Sequence, residues 1–71
     1  MTEQIRAEIV ANVMSVVATP GAAIGEGDTV VILESMKMEI PVLSEFAGVL
    51  TRIAVKEGDV VQEHDLIAVV D

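Results

Sequence analysis

The chain has no cysteine, no tryptophan and no tyrosine, and its one aromatic residue is Phe46. Without cysteine, disulfide staples, thiolate metal sites and thiol catalysis are excluded. A single aromatic ring makes no stacking platform for single-stranded nucleic acid. Positive charge is scarce too. Arg6, Lys37, Arg52 and Lys56 stand against 12 acidic residues, for a net charge of −8. That balance repels phosphate backbones and anionic lipids, so neither nucleic acid nor a membrane surface is expected as a partner. No apolar run approaches the ~20 residues of a membrane-spanning helix. The start Met1-Thr2-Glu3-Gln4 lacks the basic residues of a signal peptide. The expectation is a soluble, cytoplasmic protein.

What the chain does have is aliphatic bulk. Its 71 residues include 13 valines and 7 isoleucines, and β-branched side chains favour strands over helices. The length allows one small domain, expected over residues 1–71. A chain this short buries only about 60% of its unfolded surface, so its stability margin is thin.

Glycines punctuate the sequence at 21, 25, 27, 48 and 58, with strand-length apolar runs between them, such as Val30-Val31-Ile32-Leu33 and Leu66-Ile67-Ala68-Val69-Val70. Short strands separated by turn signals point to an all-β barrel or sandwich. Around Arg52 the pattern alternates, with Leu50, Arg52 and Ala54 on one face and Val49, Thr51, Ile53 and Val55 on the other. The N-terminal stretch is ambiguous. Ile5, Ile9, Val13, Val16 and Val17 fall at helical spacing, yet Ile5, Ala7, Ile9, Ala11 and Val13 also alternate.

An internal repeat decides between them. Shifted by 37 positions, Gly21 falls on Gly58, Val13 on Leu50, Val16 on Ile53, Ile24 on Val61, Asp28 on Asp65, Val30 on Ile67 and Ile32 on Val69. The turn Glu26-Gly27-Asp28 falls on Glu63-His64-Asp65. Two copies of one unit, neither able to bury its apolar face alone, predict two interleaved halves around one core. The strand pattern after Gly48 therefore predicts a strand over Ala11 to Val17 as well.

The halves are joined by Glu34-Ser35-Met36-Lys37-Met38-Glu39-Ile40-Pro41, flanked by strand-like residues on both sides. This reads as a hairpin with Met36-Lys37 at its tip. Two-residue hairpin loops favour Asn-Gly or Asp-Gly because both positions need positive φ, which costs other residues roughly 1–2 kcal/mol each. A turn that accepts such strain invites a functional explanation. Pro41, with no N–H to donate, belongs at a strand edge or end.

The tip and its frame resemble the biotinyl domains, the biotin carboxyl carriers of the biotin/lipoyl attachment superfamily. Their motif is Ala or Ser followed by Met-Lys-Met, matched by Ser35-Met36-Lys37-Met38; lipoyl domains usually carry Asp-Lys-Ala there. The family's Gly-Asp pair ten residues before the lysine is matched by Gly27-Asp28, and a further glycine by Gly21. Gly48 and Gly58-Asp59 repeat the pattern, so the resemblance runs from Ile5 to Val70 without a gap. The length resembles that of small free-standing bacterial biotinylated proteins. The chain departs from the family in Ala7-Glu8-Ile9-Val10-Ala11, where many members read Ala-Pro-Met-Pro-Gly. It also has Ala22 after Gly21, and His64 in place of a glycine.

The resemblance implies a flattened β-barrel of two four-stranded antiparallel sheets with pseudo-twofold symmetry. The lysine hairpin would lie at one end and both termini at the other. The Pro20–Asp28 stretch is too short for the "thumb" insertion of some members. The resemblance also implies biotin in amide linkage on Lys37, attached by a biotin protein ligase. Acylation needs a free amine, whereas an ordinary lysine is an ammonium at neutral pH, so deprotonation falls to that ligase. Glu34, Ser35, Met36, Met38 and Glu39 would be read by the ligase and other partners, and methionine makes a soft, tolerant contact. Gly21, Gly27, Asp28, Gly48 and Gly58 would shape structural turns. The implied role is a non-catalytic carrier taking a carboxyl group from a biotin carboxylase to a carboxyltransferase. The isolated chain is expected to be a monomer. Two alternatives stay open: a lipoyl carrier, disfavoured by Met36 and Met38, and an interaction or biotin-regulatory module that shuttles nothing.

Other chemistry is weakly supported. The serines and His64 show no nucleophile-elbow pattern. Glu63-His64-Asp65 reads as a solvated turn, since one histidine is a poor nucleus for a metal site. Gly25-Glu26-Gly27 lacks the remaining residues of a nucleotide-binding loop.

Overall fold

A computed structural model describes residues 2–71; Met1, counted within the single expected domain, lies outside the described residues. Among the described residues, eight strands make up the regular structure: β1 (Glu3–Arg6), β2 (Ala11–Val16), β3 (Ala23–Ile24), β4 (Thr29–Ser35), β5 (Met38–Leu43), β6 (Gly48–Ile53), β7 (Val60–Val61) and β8 (Leu66–Val70). They form two four-stranded antiparallel sheets, ordered β1-β8-β6-β3 and β5-β4-β2-β7. The ambiguous N-terminal stretch is two strands with a bend at residues 7–10 between them; the strand expected over Ala11 to Val17 ends at Val16, and the partners are distant in sequence, β1 with β8 and β2 with β4. No helix among the described residues is long and apolar enough to cross a membrane.

The 37-residue repeat is a structural symmetry. Moving each strand of the first half forward by 37 carries β1 onto β5, β2 onto β6, β3 onto β7 and β4 onto β8, and so exchanges the two sheets. Hydrogen bonds follow the same rule. Gly21 donates its N–H to the Leu50 carbonyl at 2.6 Å, and Gly58 donates to Val13 at 2.9 Å. Gly27 donates to Ser44 at 2.7 Å, and His64 to Ala7 at 2.8 Å. The turn aspartates match as well: Asp28 Oδ2 accepts from Gly25 N–H and Asp65 Oδ2 from Gln62 N–H, both at 2.8 Å. The Pro20–Asp28 stretch, read as too short for a thumb, therefore has the same build as its counterpart at 57–65.

The inner faces meet in an aliphatic core of Ile5, Ala7, Ala11, Val13, Ile24, Val30, Val31, Leu33, Leu50, Val61, Ile67, Ala68 and Val70. Phe46 packs against it only partly buried.

Strict alternation around Arg52 does not hold. The β6–β8 ladder pairs Leu50 with Val70 and then Arg52 with Val69, so Thr51 is bulged out. The extra residue changes which parity faces inward: Leu50 is buried, Arg52 and Ala54 are exposed, and Ile53 and Val55 pack against the core. The symmetric bulge falls at Met14 in the β2–β4 ladder. A second symmetric pair, at Val30 and Ile67, lets two consecutive residues of β4 and of β8 be buried together.

Gly48 is also corrected. It opens β6 and is not a turn residue. A Cβ there would lie 2.3 Å from the Asp71 carbonyl oxygen, so glycine is required by close backbone approach. Gly21, Gly27 and Gly58, by contrast, do sit in turns at positive φ.

Candidate functional site

β4 and β5 are the longest-paired strands of the second sheet, held from Thr29↔Leu43 to Ser35↔Met38. The last pair leaves a loop of two residues, Met36 and Lys37, at φ +54° and +65°. Positive φ at both central residues is the mark of a type I′ turn, whose twist matches that of the flanking strands. Neither residue is glycine, so the turn carries the backbone strain expected from the sequence. Lys37 is exposed and Met36 is 91% exposed, so neither side chain repays that strain by packing.

The residues expected around Lys37 divide between two faces. Leu33 points into the core, so Glu34 points outward and Ser35 inward again. Glu39 lies directly opposite Glu34, and the two carboxylates stand side by side on the outer face. Like charges in that position oppose folding. Met38 lies opposite Ser35, on the inward face but past the end of the core, and is 62% exposed. Alternation from Lys37 alone could not place it; the pairing with Ser35 does. Pro41 lies opposite Ile32 on β5, an edge strand of its sheet, where a missing N–H costs no ladder bond.

Asn12 was not anticipated. It pairs with Glu34 from β2 and so continues the outer-face row Glu39-Glu34-Asn12 beneath the tip. The repeat gave no cue, since it sets Asn12 against Val49. The turn glycines, Asp28 and Asp65 lie away from this row and brace the loops between strands. No group of three or more histidine, aspartate or glutamate side chains among the described residues is placed to hold a metal ion.

A pseudo-twofold sandwich of two four-stranded antiparallel sheets, with one lysine presented at an exposed, strained hairpin tip, defines a class of small all-β domain. Residues 3–70 match the family described as "Biotin-requiring enzyme", and the chain belongs to this biotin/lipoyl attachment family. Biotin is the cofactor named in that description. A protein of Mycolicibacterium smegmatis described as a biotinylated protein TB7.3 homolog is 63% identical over 71 residues, covering 100% of both chains. Among solved structures, the urea carboxylase of Kluyveromyces lactis superposes with a TM-score of 0.94 at 34% identity, covering 100% of this chain and 6% of the carboxylase. The lipoyl domain of the Azotobacter vinelandii 2-oxoglutarate dehydrogenase complex superposes with a TM-score of 0.80 at 27% identity, covering 96% of this chain and 94% of that domain.

Proposed function

We propose that Lys37 carries biotin in amide linkage, attached by a biotin protein ligase, and that the chain serves as a carboxyl carrier between a biotin carboxylase and a carboxyltransferase. The observation that carries this reading is the backbone of the tip: a lysine held at φ +65° in a two-residue loop, exposed, at the end of a well-paired hairpin. A cofactor held by one amide needs a primary amine with open space around it and no further ligand, and the tip offers that. Biotin, when bound, supplies a ureido nitrogen able to hold a carboxyl group. Everything else is presentation. The lysine stem and the valeryl chain give roughly a dozen ångströms of reach from a fixed base, about ten bonds near 1.5 Å each. Tethering raises the local concentration of the carried group at whichever site the tip has entered.

Glu34, Ser35, Met36, Met38 and Glu39 are the surface a ligase and the two carboxylase components would touch. The similarity to a carboxylase domain supports the carboxylase side of the reading. The Met-Lys-Met sequence supports biotin over lipoate. The whole 71-residue chain acts as one domain in this reading, a monomer when isolated.

The direct test is the intact mass of protein made together with a biotin protein ligase, with tandem fragmentation across Lys37. One biotinyl group on Lys37 is expected. An unmodified chain, a lipoyl group, or biotin on Lys56 would overturn the assignment. The carrier role is tested separately by adding the biotinylated chain in trans to carboxylase components of the same cell. Failure to support carboxylation with any of them would leave a biotinylated module that shuttles nothing.

A further inference from the structure

We propose that Met36 is a site of reversible sulfoxidation by peroxide, and that its oxidation state gates the attachment of biotin to Lys37; the gating half rests on the attachment reading above. The argument begins with composition. With no cysteine, tryptophan or tyrosine in the chain, the thioethers are its readily oxidised side chains. Three of the four methionines lie among the described residues, and their exposure is graded: Met36 91%, Met38 62% and Met14 38%. Among the described residues the most exposed methionine is therefore the one next to the acceptor lysine.

The step balances simply. Met36 Sδ attacks one oxygen of hydrogen peroxide. An S–O bond forms, the O–O bond breaks, and the remaining oxygen leaves as water. The sulfur loses two electrons and the peroxide gains them. Methionine sulfoxide reductases reverse the step: a pair of cysteine thiols supplies two electrons and two protons and becomes a disulfide, and the sulfoxide oxygen leaves as water.

The fold is indifferent to this change, because a side chain so exposed has no packing to lose. Recognition is not. A soft apolar contact becomes a polar, chiral one with a strong acceptor oxygen. A partner that covers Met36 in order to reach Lys37 would have to bury that oxygen without a matched donor. The expected effect is about a tenfold fall in kcat/KM for biotin transfer, the ratio that one poorly partnered polar group produces.

The test treats the unbiotinylated chain with dilute hydrogen peroxide, maps oxygen incorporation by peptide mass spectrometry, and measures biotin transfer by purified ligase before and after. Three results are expected. Met36 takes up oxygen before Met38 and Met14. Transfer slows about tenfold at an unchanged melting temperature. Methionine sulfoxide reductases A and B restore it. Met36→Leu sets its own baseline, and its ratio of treated to untreated rates should stay near one. The proposal is overturned if Met36 oxidises no faster than Met14, if the oxidised chain is biotinylated at an undiminished rate, or if peroxide slows Met36→Leu as much as the parent. A chain that accepts no biotin even untreated instead removes the attachment reading, and the gate with it, so the two failures are distinguishable.

Discussion

Among the described residues, three without a glycine's freedom hold positive φ: Met36, Lys37 and His64. The first two form the exposed tip. His64 occupies the position that Gly27 holds in the other half, at φ +76° against +89°. Its side chain is exposed, and its contact with Glu63, Nε2 to Oε1 at 4.0 Å, sits in solvent and adds little. His64→Gly should therefore stabilise the domain by about 1 kcal/mol and raise Tm by about 4–8 °C in a thermal melt. The mirror change, Gly27→Val, should lower Tm. Nothing lies within 4 Å of a Cβ built there, so its cost is the backbone's alone; an unchanged Tm would refute the φ argument. At the tip, Lys37→Arg keeps the charge and the turn but offers no acylable amine. Intact mass should show no biotin, at the parent's melting temperature. The strain at Met36-Lys37 was legible because a two-residue loop demands positive φ whatever fills it. That at His64 was not, because a histidine in a Glu-His-Asp run reads as an ordinary solvated turn until its partner across the repeat is known to be left-handed.

Between residues and the whole lie the turns and ladders that the repeat duplicates. Asp28 and Asp65 make the same bond at the same length, so Asp28→Ala and Asp65→Ala should each cost about 1 kcal/mol, and nearly the same as one another, in urea denaturation. A cost confined to one turn would show that the halves are not energetically equivalent. Gly48 is under a different constraint. Val49 and Asp71 exchange two backbone hydrogen bonds at 2.8 Å, which draws the Asp71 carbonyl over Gly48. Gly48→Ala should break that exchange, and the Asp71 amide should lose its protection from hydrogen exchange while the β4–β5 ladder keeps its own. Strand identities were readable at this scale because matching positions in the two halves carry matching apolar residues. The bulges were not. A strand with one extra residue still looks alternating in sequence, and only the ladder partner, Val69 opposite Arg52, reveals that Thr51 is the one left over.

The molecule as a whole rests on a core with no aromatic residue among its fully buried side chains; Leu50, Leu33, Ile67 and five valines fill it. A folded chain of 71 residues has a stability on the order of 5–10 kcal/mol. Leu50→Ala, which removes one of the largest fully buried side chains, should cost about 2–5 kcal/mol. The melting temperature should fall by about 10 °C or more, and retention of the parent's Tm would mean that the interior collapses into the space. The symmetry also sets where the ends lie. Ser35↔Met38 closes the β4–β5 ladder at the tip, and the β1–β8 ladder closes at Glu3↔Val70, the counterpart of Leu33↔Ile40. Strands β1 and β8 run antiparallel, side by side, with the start of β1 beside the end of β8. Mechanically, that makes the domain direction-dependent. Tugged by its two ends, it meets the load one hydrogen bond at a time, as a zipper does, and peels. Tugged between either end and Lys37, it takes the load along the strands, with many bonds strained at once, so a carrier drawn by its tip resists a force that would open it from its base.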